Sequence, residues 1–140
     1  MRIKYDMQVM KYISLFESLT RAKVKDCIVD SIHDSRLIIV VEENEMGKAI
    51  GKNGVHVKRL EQLLKKRLKV VEYNHDVLQF IKNFTYPLQL KEVRQENNSI
   101  TLMGPDTKTK GLLIGRDSAN LNQLKAIVQR YFTVEGIKVI

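Results

Sequence analysis

The chain has 140 residues, 44% hydrophobic and 29% charged, with a net charge of +8 and one cysteine. That length suits one ordinary domain or two small ones, each near the lower size at which a domain folds alone. The composition excludes a fully disordered chain, because runs such as Leu37-Ile38-Ile39-Val40-Val41 do not stay solvated, and a helical membrane span, because no apolar stretch approaches about 20 residues.

Asp6 caps a predicted helix over 7–20, whose apolar stripe is Val9, Ile13, Phe16 and Leu19, widened by Tyr12 and Leu15. Strands follow at 24–32 and 36–42, flanking a turn at His33-Asp34-Ser35. The second is apolar at every position from 37 to 41, which predicts a central strand covered on at least one face. A short helix over 45–50 meets Gly51-Lys52-Asn53-Gly54. A longer helix over 55–67 carries Val57, Leu60, Leu63 and Leu64 on one face, and 68–73 closes the unit as a strand.

The second half repeats that order. Asn74 or Asp76 caps a helix with the stripe Val77, Phe80, Ile81 and Phe84, ended by Pro87. Strands at 88–95 and 99–103 flank the turn Asn97-Asn98. Gly104-Pro105-Asp106 breaks the chain. A helical stretch over 111–114, the loop Gly115-Arg116-Asp117-Ser118, a helix over 119–132 and a strand near 134–139 complete it.

A shift of 64 positions superposes the halves. Gly47 falls on Gly111, Ile50 on Ile114, Gly51 on Gly115 and Lys52 on Arg116. Phe16 meets Phe80, Ile38 meets Leu102, Leu60 meets Leu124, Leu68 meets Phe132 and Val70 meets Val134. The chain therefore reads as two copies of one α-β-β-α-α-β unit, residues 1–74 and 75–140, in an α+β layout with helices packed on a small sheet.

The excess of positive charge favours polyanionic partners, nucleic acid before a membrane surface. A glycine-bounded loop at a helix entrance lets the backbone turn sharply and an outside chain approach closely. The helix that follows offers unpaired N–H groups and a partial positive charge. Lys52 adds a mobile ammonium, so the loop suits a phosphodiester backbone. Ile50 and Val55 can line a groove floor where unpaired bases are read. Within 46–69, Lys48, Lys52, Lys58, Arg59, Lys65, Lys66, Arg67 and Lys69 are opposed only by Glu61. A lone Gly-x-x-Gly is usually a turn and a basic face usually solvated surface. The discriminating feature is the conjunction of hairpin, helix, loop, helix and strand, repeated once.

Ile50-Gly51-Lys52-Asn53-Gly54 resembles the signature loop of KH domains. The element order, helix first and strand last, resembles the type II variant, which implies a small sheet mixing parallel and antiparallel pairs. Two such domains in tandem, with the opening stretches Met1-Arg2-Ile3-Lys4 and Tyr12-Ile13-Ser14-Leu15-Phe16, resemble the archaeal NusA-like transcription factors. The resemblance implies single-stranded RNA held along the Gly-x-x-Gly loop, about four nucleotides per domain, by a non-enzymatic factor of transcription termination or antitermination. It implies no cofactor. Carried onto this chain, the binding residues are Ile50, Gly51, Lys52, Asn53 and Gly54 with Lys48, Val55 and Lys58 beside them, then Ile114, Gly115, Arg116, Asp117 and Ser118. The second loop departs from the pattern: Ser118 replaces the closing glycine, and Asp117 places a carboxylate where phosphate would lie. It can instead serve only as a helix cap, with Ser118 or Asp117 as the capping residue. RNA crossing both domains would use Arg116, Lys108 and Lys110.

Other readings stay open on the residues alone. The same domains serve an RNA-binding accessory of ribosome assembly or RNA decay, and an apolar groove can bind protein instead. No nucleophile–base constellation stands out. The Gly-Lys of 47–52 lacks the order of a nucleotide-binding loop. Asp26, Asp30 and Asp34 recur every fourth residue and read as solvated carboxylates at a hairpin end. Cys27 reads as a small buried residue, and His56 as facing solvent or touching RNA. Cys27, His33, His56 and His75 are too scattered for structural zinc. The lone cysteine and the absence of a secretory leader point to the cytoplasm. A monomer with RNA polymerase as a further partner is the expectation.

Overall fold

The computed structural model describes residues 6–30, 32, 33 and 36–140. They divide into two compact units, one ending at Asn74 and one running from His75 to Ile140. The opening stretch 1–4 and Asp34-Ser35 of the expected turn lie outside the described residues.

In the first unit, α1 (Met7–Thr20) starts where an Asp6 carboxylate oxygen accepts the Val9 N–H at 2.8 Å. It stops at Arg21, whose left-handed backbone (φ +61°) turns the chain. Its predicted stripe faces inward: Phe16 is fully buried, and Val9, Tyr12, Ile13, Leu15 and Leu19 pack around the same core. Strands β1 (Val24–Val29), β2 (Leu37–Val41) and β3 (Leu68–Glu72) form a sheet in that order. β1 runs antiparallel to β2, with Cys27 opposite Ile39; β3 runs parallel to β2, with Val70 opposite Ile39. β2 is central and buried at every position. Phe16, Ala22, Cys27, Leu37, Ile39, Val41, Ala49 and Leu60 make the core. Two helices bridge β2 and β3: α2 (Met46–Ile50) and α3 (Val55–Leu64).

β1 ends at Val29 rather than 32, because Asp30 turns the chain. Its fully buried carboxylate accepts the N–H groups of Ile32 (2.9 Å) and His33 (3.2 Å), meets His33 Nδ1 at 2.9 Å, and takes Arg36 Nε at 2.7 Å. Asp26, at an irregularity in the β1 register, is equally buried and accepts the Cys27 N–H at 2.8 Å. The reading of Asp26 and Asp30 as solvated is thus overturned: both are fully buried, and backbone amides and a guanidinium meet their carboxylates. Asp34 lies outside the described residues.

The second unit has the same topology. Asp76 accepts the Leu78 N–H at 3.0 Å and opens α4 (Val77–Thr85), which buries Val77, Phe80, Ile81 and Phe84 as its spacing predicts. Phe80 packs edge-on against Tyr131 at 5.6 Å and tilted against Phe132 at 5.7 Å. β4 (Glu92–Glu96) and β5 (Ser99–Met103) are antiparallel, joined at Asn97, whose φ is +55°. α5 (Thr107–Ile114) starts four residues before the expected stretch, because Asp106 accepts the Thr109 N–H at 2.7 Å and caps it. α6 (Ala119–Tyr131) and β6 (Gly136–Val139), parallel to β5, complete the unit.

The 64-residue register holds through the loops but slips at the strands. α3 ends at Leu64, three residues short of expectation, because Lys65 adopts a left-handed backbone (φ +55°). α6 continues through Tyr131, so β6 begins at Gly136 and Val134 precedes it, buried outside the strand. The pairings of Leu68 with Phe132 and Val70 with Val134 are therefore not strand-for-strand equivalences.

Candidate nucleic-acid interface

The first loop is built by two helices that meet head to tail. α2 closes with the Gly51 N–H donating to Gly47 O at 3.1 Å. Gly51 then takes φ +74°, ψ 174°, a region essentially reserved for glycine. Lys52–Gly54 forms a single 3-10 turn, with Asn53 at φ +56° and Gly54 at φ +72°. Val55 enters α3. Lys52, Asn53, Val55, Lys48 and Lys58 are exposed; Ile50, Gly51 and Gly54 are half-buried. The Val55 N–H donates to Lys52 O, and no side-chain oxygen caps the start of α3. Lys48 Nζ lies 3.2 Å from Glu45 Oε2. The Glu45 carboxyl is held below the usual range by the Lys23 N–H and then by Lys48, so the Lys48 charge is partly offset.

The second loop has the same backbone despite its altered residues. Gly115 sits at φ +75°, ψ 172°, Asp117 at φ +54° and Ser118 at φ +62°. Arg116 and Asp117 are exposed; Ile114, Gly115 and Ser118 are half-buried. The helix-cap alternative fails at Ser118, which makes no side-chain cap hydrogen bond to α6. Ser118 can replace glycine because the closing position is roomy: a Cβ at Gly54 meets nothing within 4 Å. The opening position is closed, since a Cβ at Gly51 would lie 2.8 Å from His56 Nδ1 and 3.0 Å from Val55 Cγ1. Gly51→Ala should therefore cost about 2 kcal/mol of stability and Gly54→Ala about 1 kcal/mol. Urea unfolding separates the two, and equal losses would contradict this account.

The electrostatics differ between the loops. At the positions of Lys48, Lys58 and Arg59 the second unit carries Leu112, Asn122 and Gln123, and Asp117 stands where Asn53 does. Lys108 is exposed and Lys110 half-buried on α5. Elsewhere, Cys27 is buried in the core, and burial, then Asp26, pushes its thiol up to about 12, so no thiolate forms near neutrality. A cleft of about 440 Å³ at the hairpin end is lined by His33, Arg36 and Arg67 with Ile32, Glu61 and Leu68; sequence reasoning did not find it. No cluster of metal-ligating residues occurs among the described residues, and none of their helices is long and apolar enough to cross a membrane.

The KH domain family matches residues 11–98, a span that contains Gly51–Gly54 and ends before Gly115. A protein of Methanococcus vannielii named "Probable transcription termination protein NusA" is 34% identical over all of this chain and 81% of its own length. Its namesake in Halococcus morrhuae is 31% identical over 99% of both. The chain belongs to the archaeal NusA-like KH-domain proteins. The crystal structure of APE1850 has the same fold: TM-score 0.73, 31% identity, covering 97% of this chain and 100% of that one. NusA-like membership agrees with the α+β layout and the three-stranded sheets.

Proposed function

We propose that the chain is a NusA-like RNA-binding transcription factor, built as two tandem type II KH domains over 1–74 and 75–140, that grips single-stranded RNA along Gly51–Gly54. The observation that carries the reading is the first loop itself: Lys52 and Asn53 stand exposed between two positive-φ glycines that bend the chain into a helix start with no side-chain cap, with Lys48, Lys58 and Arg59 around it. Phosphates lie against the amides and ammonium groups, while Ile50 and Val55 offer apolar surface to bases. The tandem assignment is supported by the shared α-β-β-α-α-β order and mixed sheet of both units. The second loop keeps the bend, and Ile114, Gly115, Arg116, Asp117 and Ser118 form a weaker site because the Asp117 carboxylate repels phosphate. The factor acts in the cytoplasm on nascent transcripts in termination or antitermination, in contact with RNA polymerase and without catalysis of its own.

Affinity for single-stranded RNA should fall steeply with salt. About four phosphates neutralised at one loop give a log–log slope near −3. A flat dependence across a salt titration would favour the protein-binding alternative. Copurification of the full chain with RNA polymerase tests the partner.

A further inference from the structure

We propose that His56, and Asn120 at the equivalent place in the second unit, are positioning residues that hold each loop in its bend by closing the last turn of the preceding helix. The inference rests on the RNA-binding reading of the first loop. A continuing α2 would bring the Lys52 N–H onto Lys48 O, but Gly51 turns the chain away first and leaves that carbonyl without its helical donor. His56 Nδ1 takes the vacant place at 2.8 Å. A carbonyl only accepts, so Nδ1 carries the proton and donates. In the second unit Gly115 turns the chain away in the same manner, and Asn120 Nδ2 donates to Leu112 O at 2.9 Å.

Both bonds span eight residues, reach the same helical carbonyl, and recur 64 positions apart with different chemistry. What the two side chains share is a donor at the right reach, not an imidazole. The same side chains fill the space a Cβ would need at the opening glycines: 2.8 Å from His56 Nδ1 at Gly51, and 2.7 Å from Asn120 Cγ at Gly115. Glycine and donor thus form one device: the missing Cβ admits the side chain, and the side chain fixes the angle between the helices. A loop ordered before RNA arrives loses less freedom on binding.

The test uses the full chain, a labelled mixed-sequence single-stranded RNA, and native-state hydrogen exchange of amides 52–55. His56→Ala should weaken RNA binding about three- to tenfold, the weight of one hydrogen bond, and speed exchange in the loop. His56→Asn, which borrows the second unit's solution, should restore both to near the starting values. The proposal is overturned if His56→Ala changes neither, or if His56→Asn binds as weakly as His56→Ala while its exchange is normal, since the imidazole would then touch RNA directly. Should His56→Ala not fold, Asn120→Ala and exchange at 116–119 decide, and unchanged exchange there sinks the idea. Equal binding by Lys52→Asp/Asn53→Asp and the unaltered chain would instead refute the RNA-binding reading, while the exchange arm still judges the positioning role.

Discussion

Replacing Lys52 and Asn53 together with aspartate should lower affinity for single-stranded RNA at least about 100-fold and leave the thermal transition within a few degrees of its starting value. Both side chains are exposed and neither is in the core, so the fold loses little. The loop, however, exchanges an ammonium for two carboxylates at the proposed phosphate contact. Each such charge contact is worth about 1 kcal/mol in water at 4 Å and more near protein. Three units of charge change therefore exceed the roughly 2.7 kcal/mol that a 100-fold loss requires. Fluorescence anisotropy with labelled RNA reads the effect, and unchanged affinity would end the assignment of this loop. The second unit already carries half of that substitution in Asp117, so Asp117→Asn should strengthen binding by the second loop.

Asp30→Ala should cost about 3 kcal/mol of stability, the typical loss when one partner of a buried ion pair is removed. The carboxylate is fully buried. It receives two backbone N–H groups and the Arg36 guanidinium, so its loss leaves those donors without their acceptor. Asp76 at the start of α4 is a control of the same residue type whose carboxylate caps an exposed turn. Urea unfolding of Asp30→Ala and Asp76→Ala makes the comparison; a loss below about 1 kcal/mol for Asp30→Ala would show that the hairpin does not depend on it.

Much of this was legible in one dimension. The Asp6 cap and the stripe from Val9 to Leu19 prescribed α1, because helical spacing and a capping carboxylate act within a few residues. The five-residue apolar run predicted a buried strand, and β2 is central. The repeated glycine loop located the bend between the helices, because a backbone conformation that only glycine tolerates leaves its mark on residue choice. Signals that depend on chain partners were not legible. The periodicity of Asp26 and Asp30 does not tell a solvated carboxylate from a buried one; that depends on where Arg36 and the backbone amides end up.

Ser118 shows the same division. Residue type alone marks it as a departure from glycine or as a cap, yet it adopts φ +62° without capping, at the position where, in the first loop, a Cβ on Gly54 would meet nothing within 4 Å. The strand slip at β6 likewise follows from α6 running on to Tyr131, whereas α3 stops at Leu64, where Lys65 turns left-handed. Short-range chemistry determined the helices, turns and loop. Long-range packing decided which polar groups are buried, where the second unit's last strand begins, and that His56 and Asn120 reach back to a helix end, because those outcomes depend on distances between residues that are not neighbours in the chain.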